Sequence, residues 1–230
     1  MAALHSRRRL DFGNFGQAIF ALAVGFAFVA YCGTTLADDL FPPPWRGEFR
    51  TTVAEWDFIT ASSGLPDGTL PAVVGDGGGD PFMTPGPGIL WDPVFNGSWI
   101  GNTGGPMQFY IPNWIDNEPW KDFWIQITYQ PNPQLLPPTV SNLVGDPSGP
   151  VQLVSAFDIL IDPLNNLRHR TEVWRMFPNP DWETFDIFIG PDVVVTQVVL
   201  DTWSVPEPST FGLAGIGLAL LGIRTWRRRR

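Results

Sequence analysis

Between residues 38 and 204 the chain holds one histidine, His169, and no cysteine. A lone histidine between Arg168 and Arg170 cannot supply a Cys-His pair, a His-rich zinc set or an HExxH helix. A Ser-His-Asp triad would have to use His169, yet no serine sits in a G-x-S-x-G turn. His169 therefore reads as an exposed loop or strand-start residue. Carboxylates are plentiful enough for a glycoside-hydrolase pair, but no local arrangement singles one out. No catalytic residue is expected, and a polysaccharide-active hydrolase ranks last of three functional readings.

Acidic loops offer a second chemistry. Gly75-Asp76-Gly77-Gly78-Gly79-Asp80 lacks the lysine and the Ser/Thr of a phosphate loop. Asp76 and Asp80, and separately Asp116, Glu118 and Asp122, are candidate Ca²⁺ ligands, since calcium takes several oxygens from flexible loops. Neither group has the spacing of a known calcium loop, and a solvated loop is the expected state of the glycine run. The tryptophans offer a third. Trp114, Trp120 and Trp182 lie in polar, proline-containing stretches (IPNWIDNEPWKDF and NPDWETF). Flat indole faces beside Asn and Asp suit sugar rings, which need apolar stacking with polar edge contacts. These three are the candidate glycan-binding residues. The competing reading is that they cap the ends of the fold.

The elements that must position these side chains are strands. Of 230 residues, 24 are proline and 24 glycine, close to double the usual share, while Trp, Phe, Val and Ile are abundant. That is the composition of a β protein with many turns. Strands are expected at 50–59, 89–95, 98–101, 107–111, 122–130, 151–161, 170–177, 183–189 and 193–203. The clearest is DFWIQITYQ, in which Phe123, Ile125, Ile127 and Tyr129 alternate with Trp124, Gln126 and Thr128. Residues 151–161 and 170–177 should pair across the turn Asp162-Pro163-Leu164-Asn165-Asn166. Residues 61–90 and 131–138 read as loops. Short strands without intervening amphipathic helices argue for an all-β, antiparallel sandwich of jelly-roll kind, with a barrel as the alternative. The layout is similar to carbohydrate-binding and lectin-like sandwiches, a likeness of architecture only.

Charge narrows the partners. Residues 38–204 carry six basic and 21 acidic side chains, a net charge of −15 against −9 for the whole chain. Such a field repels nucleic acid and attracts divalent cations.

Both termini carry address-like segments. Arg7-Arg8-Arg9 precedes an apolar run from Ala18 to Tyr31, and Thr35-Leu36-Ala37 offers small residues at a cleavage site. Residues 1–37 thus read as a signal peptide cut by signal peptidase after Ala37. Ser6 to Leu10 also allows twin-arginine export, and Cys32 a lipoprotein reading that Tyr31 disfavours. At the other end Pro206-Glu207-Pro208 precedes an apolar run from Phe211 to Ile223, then Arg224 and the cluster Arg227, Arg228, Arg229 and Arg230. The run is thirteen residues, or roughly 20 Å of helix against a bilayer core of about 30 Å. It suits a transient hold better than a permanent anchor. The arginines would keep the extreme C-terminus cytoplasmic.

This tripartite tail resembles the PEP-CTERM sorting signal of bacterial envelope proteins. The resemblance covers residues 205–230 and implies processing near Pro206-Glu207-Pro208 by an exosortase, a membrane-embedded transpeptidase. It implies an exported protein of the cell envelope or extracellular matrix, held in the membrane by its C-terminal helix until processed. Residues 38–204 would be the exported sandwich, flanked by a signal helix and a hydrophobic C-terminal helix. The leading functional reading is a non-catalytic envelope or matrix protein without cofactor, with exopolysaccharide as a further partner. The alternative is a carbohydrate-binding module.

Overall fold

The computed structural model describes residues 39–60, 64–70, 72–93, 97–134 and 136–206. Among them lie eleven strands and no helix: β1 Thr51–Trp56, β2 Phe82–Pro85, β3 Ile89–Asp92, β4 Ser98–Gly101, β5 Gly105–Pro112, β6 Trp120–Gln130, β7 Thr139–Asp146, β8 Val151–Asp162, β9 Leu167–Met176, β10 Trp182–Ile189 and β11 Val194–Val205. No helix among these residues is long and apolar enough to cross a membrane. The expected signal helix, its cleavage site at Ala37 and the hydrophobic C-terminal helix all lie outside the described residues.

All pairings are antiparallel, in two sheets. The seven-stranded sheet runs β3-β4-β11-β6-β9-β8, with β1 also on β11, and the four-stranded sheet runs β2-β5-β10-β7. Strand β6 takes one whole edge of β11, from Val194 to Val205. The other edge is shared, β4 opposite Val194 and Val195 and β1 opposite Val198 to Trp203. From β4 to β8 each successive strand crosses to the other sheet, as do β10 and β11 after β9. Strands β3 and β4 form one hairpin, and β8 and β9 form another, the one expected from the Asp162 turn. There the Asp162 carboxylate accepts from the Leu164 amide at 2.9 Å and Asn166 adopts φ 50°.

Period-two alternation builds the core. Ile125, Ile127 and Tyr129 of β6, and Val198 and Leu200 of β11, face Met107, Phe109 and Ile111 of β5 and Phe185, Ile187 and Ile189 of β10. Phe109 stacks on Phe185 with centroids 5.1 Å apart, and Trp56 meets Phe109 edge-on at 5.0 Å. Each such ring contributes on the order of 2–3 kcal/mol by leaving water.

The large sheet is covered on its outer face too. The lead-in from Asp39 to Arg46 crosses it. The Phe41 amide donates to Gln126 Oε1 (3.1 Å), Trp124 Nε1 donates to the Phe41 carbonyl (2.9 Å), and Trp45 stacks on Trp203. This strap overturns the reading of His169 as exposed. His169 is fully buried, with Phe41 packed on its ring. One expectation of a loop also changes. The stretch 61–90 contains β2, and residues 139–146, for which no strand is expected, form β7; these are the edge strands of the small sheet. The Gly/Pro segment is tied down at its base while its surface stays solvated: Asp67 accepts from the amides of Asp57 and Phe58, and Val73 bridges to Val53.

Candidate functional site

A partly exposed aromatic surface lies on the outer face of the small sheet. Phe185 and Ile187 of β10 face the core, so Trp182, Thr184, Asp186 and Phe188 face out. On β5 the same alternation sends Gln108 and Tyr110 outward, and on β2 it exposes Phe82 and Thr84. Register then aligns these residues across strands. Phe82 stands opposite Tyr110 and Thr84 opposite Gln108. Tyr110 stands opposite Thr184, and Gln108 opposite Asp186.

The result is a row of three rings. Phe82 and Tyr110 stack with centroids 5.1 Å apart at 23°, and Tyr110 and Trp182 lie 6.0 Å apart at 35°. The Tyr110 hydroxyl donates to the Gly78 carbonyl at 2.9 Å, which fixes the ring. Burial, then the Glu183 carboxylate, push the phenol up, so it stays neutral. Polar groups flank the rings. Gln108 is exposed, and Asn142 Nδ2 donates to Asp186 at 2.7 Å. Stacking rings beside amide, hydroxyl and carboxylate groups can take a sugar chain, apolar faces on the rings and hydroxyls on the edges.

The three candidate tryptophans do not meet. Trp182 joins this face. Trp120 belongs to β6, where the guanidinium of Arg175 lies 5.1 Å from its ring centroid. Trp114 donates through Nε1 to the Thr51 carbonyl at 3.1 Å and packs beside β1. Tyr110 and Phe82 escape a reading of the sequence because one sits mid-strand and the other in a segment that looks like a loop; only the strand register reveals them.

The candidate calcium ligands are likewise dispersed. Asp76 accepts from the Ile115 amide at 2.7 Å, while Asp80 is exposed. Asp116 and Glu118 both face Arg50, at 3.7 and 2.6 Å. Asp122 instead takes a two-pronged bond from Arg175, at 2.6 and 2.8 Å. Among the described residues no three acidic, histidine or cysteine side chains converge as a metal set. The glycine run is folded against its neighbours: a Cβ on Gly75 would lie 1.9 Å from the Asn113 carbonyl carbon, and one on Gly77 2.0 Å from the Asp181 oxygen. His169 hydrogen-bonds through both ring nitrogens, to Thr128 at 3.1 Å and Gln126 at 3.2 Å. Desolvation lowers its pKa to about 4.

Strand β11 leads directly into the tail. Val205 still pairs with Trp120, Pro206 follows, and Glu207 to Arg230 lie outside the described residues. Residues 204–230 match the model of the PEP-CTERM protein-sorting motif. That motif implies export and envelope association, with an exosortase as the processing partner. Neither a curated protein nor a solved structure matches the chain.

Proposed function

We propose that this is a non-catalytic envelope or matrix protein, exported through a cleaved signal peptide and released or transferred by exosortase processing at Pro206-Glu207-Pro208. The sorting motif at 204–230 carries the reading. The placement of the motif supports it: among the described residues the last paired one, Val205, stands immediately before the first proline, so the motif begins where the paired strand ends. The non-catalytic part is supported by His169, whose two nitrogens are held by Gln126 and Thr128 beneath the strap. Incubation of the purified protein with envelope polysaccharides should leave their chain length unchanged by size-exclusion chromatography. Shortened chains would overturn this part.

A second reading is favoured by the ring row Phe82–Tyr110–Trp182. In it the sandwich binds polysaccharide on the outer face of the small sheet. The surrounding charge is negative, so a neutral glycan fits better than an anionic one. Affinity electrophoresis in gels containing neutral polysaccharides tests this, with retardation expected for the wild type and lost in Tyr110→Ala.

A further inference from the structure

The core between the sheets ends in charge. On β6 the inward face runs Tyr129, Ile127, Ile125, Phe123 and then Lys121, which is fully buried. On β10 it runs Ile189, Ile187, Phe185 and then Glu183, also fully buried. Asn113, directly after β5, completes a third buried corner. Its Nδ2 donates to Glu183 Oε2 and, at 3.3 Å, to the Pro180 carbonyl, and its Oδ1 accepts from the Thr202 hydroxyl at 2.9 Å. Thr202 pairs with Phe123, and the next inward residue of β11, Ser204, pairs with Lys121. Thr202, whose hydroxyl holds the carboxamide, therefore stands one inward position from Lys121. Gly75 and Gly77 back tightly onto the Asn113 backbone.

Lys121 Nζ and Glu183 Oε1 have no hydrogen-bond partner, nor do Asp116 Oδ2 and Asn179 Oδ1 on the Ser204 side of the corner. A buried ammonium without a hydrogen bond is strongly unfavourable. Burial lowers Lys121 to about 8, with Glu183 the largest opposing charge, and burial pushes Glu183 well above the carboxylate range. The corner thus holds a nucleophilic amine, a carboxamide gripped at both ends and a carboxylic acid that can carry protons.

We propose that Lys121 and Asn113 join in an intramolecular isopeptide bond, with Glu183 as the proton carrier. The Nζ lone pair adds to Cγ of Asn113, and the Thr202 hydroxyl supports the oxygen on which charge develops. Glu183 gives a proton to Nδ2 and takes one from Nζ. The Cγ–Nδ2 bond breaks and ammonia leaves. One amide C–N bond replaces another, and nothing is oxidised or reduced. The product ties the two sheets together across the β5–β6 crossover in a domain with no cysteine between residues 38 and 204. It also removes the unpartnered amine.

Proteolytic mapping of the full chain isolated from cells by mass spectrometry tests this. Trypsin cuts after a free Lys121, and chymotrypsin cuts after Trp114 and Trp120. The wild type should resist trypsin at Lys121. It should also yield a branched chymotryptic peptide joining Lys121 to Asn113, lighter than its two parts by one ammonia. Glu183→Gln should restore tryptic cleavage at Lys121 and return two linear peptides, while its circular dichroism stays that of a β protein. Cleavage of the wild type at Lys121 without a branched peptide overturns the proposal. So does a branch to Asn179, or a branch to Asp116 or Glu183 with loss of water. A fully linked Glu183→Gln protein overturns the role given to Glu183.

Discussion

The guanidinium of Arg46 closes on the carboxylate of Asp201, donating from Nε at 2.5 Å and from Nη2. Asp201 is fully buried at the centre of β11, and Arg46 also pairs with Asp39. One cation thus pins the strap to the large sheet and neutralises a charge that burial raises toward protonation. Arg46→Ala leaves that carboxylate buried and alone, at a cost of roughly 3–5 kcal/mol. Urea unfolding should show the loss, and Arg46→Lys should recover only part of it, because an ammonium cannot grip both oxygens.

Acid should loosen the protein through His169. Its folded pKa is depressed, to about 4 from 6.5. Below pH 6.5 the unfolded chain takes up a proton that the native state refuses, so stability falls as pH drops toward 4. The nearby Asp158 opposes the depression, but desolvation outweighs it. The full effect is on the order of 3 kcal/mol, from about 1.4 kcal/mol per pKa unit. His169→Gln keeps a polar group for Gln126 and Thr128 and should remove this part of the pH dependence. Melting temperatures of both proteins between pH 7 and pH 4 check it. Parallel curves would count against it.

Tyr110→Ala and Trp182→Ala should each weaken binding to a neutral polysaccharide by about tenfold, equivalent to ~1.4 kcal/mol. Trp114→Phe and Trp120→Phe should leave it unchanged, because neither ring lies on the outer face of the small sheet. Retardation in affinity gels reads the difference, and equal losses in all four variants would indicate general unfolding.

Glu207→Ala, or removal of Arg227 to Arg230, should leave uncleaved chain in the membrane fraction. Immunoblots of fractionated cells give the answer, and normal maturation of both variants would refute exosortase processing.

Gly77→Ala should destabilise by about 1–3 kcal/mol, since its Cβ would lie 2.0 Å from the Asp181 carbonyl oxygen. Thermal melting of the variant is the measurement.

Sequence pattern locates the strands where both neighbours and faces agree. DFWIQITYQ extends by two residues into β6, residues 98–101 form β4 as expected, and the β8–β9 hairpin turns at Asp162. β2 and β7 stay hidden because edge strands need little hydrophobic alternation; β7 is mostly exposed and β2 ends on Pro85. The candidate face is legible only in Trp182. Tyr110 and Phe82 join it through a register that the local sequence does not encode. His169 reads wrongly as exposed because its burial depends on Phe41, 128 positions away in the chain. Lys121 and Glu183 look like ordinary surface charges, since a single polar residue at the end of an alternating strand carries no mark of the sheet that will cover it.

The double pairing of β11 has a mechanical consequence. If the C-terminal tail is tethered and the outer face of the small sheet grips a polymer, tension enters the fold at Val205, along the axis of a strand bonded on both edges. Antiparallel neighbours on each side load their ladder bonds in shear, so many must fail together rather than peel one by one. A domain whose tether leaves from an edge strand would unzip under the same pull.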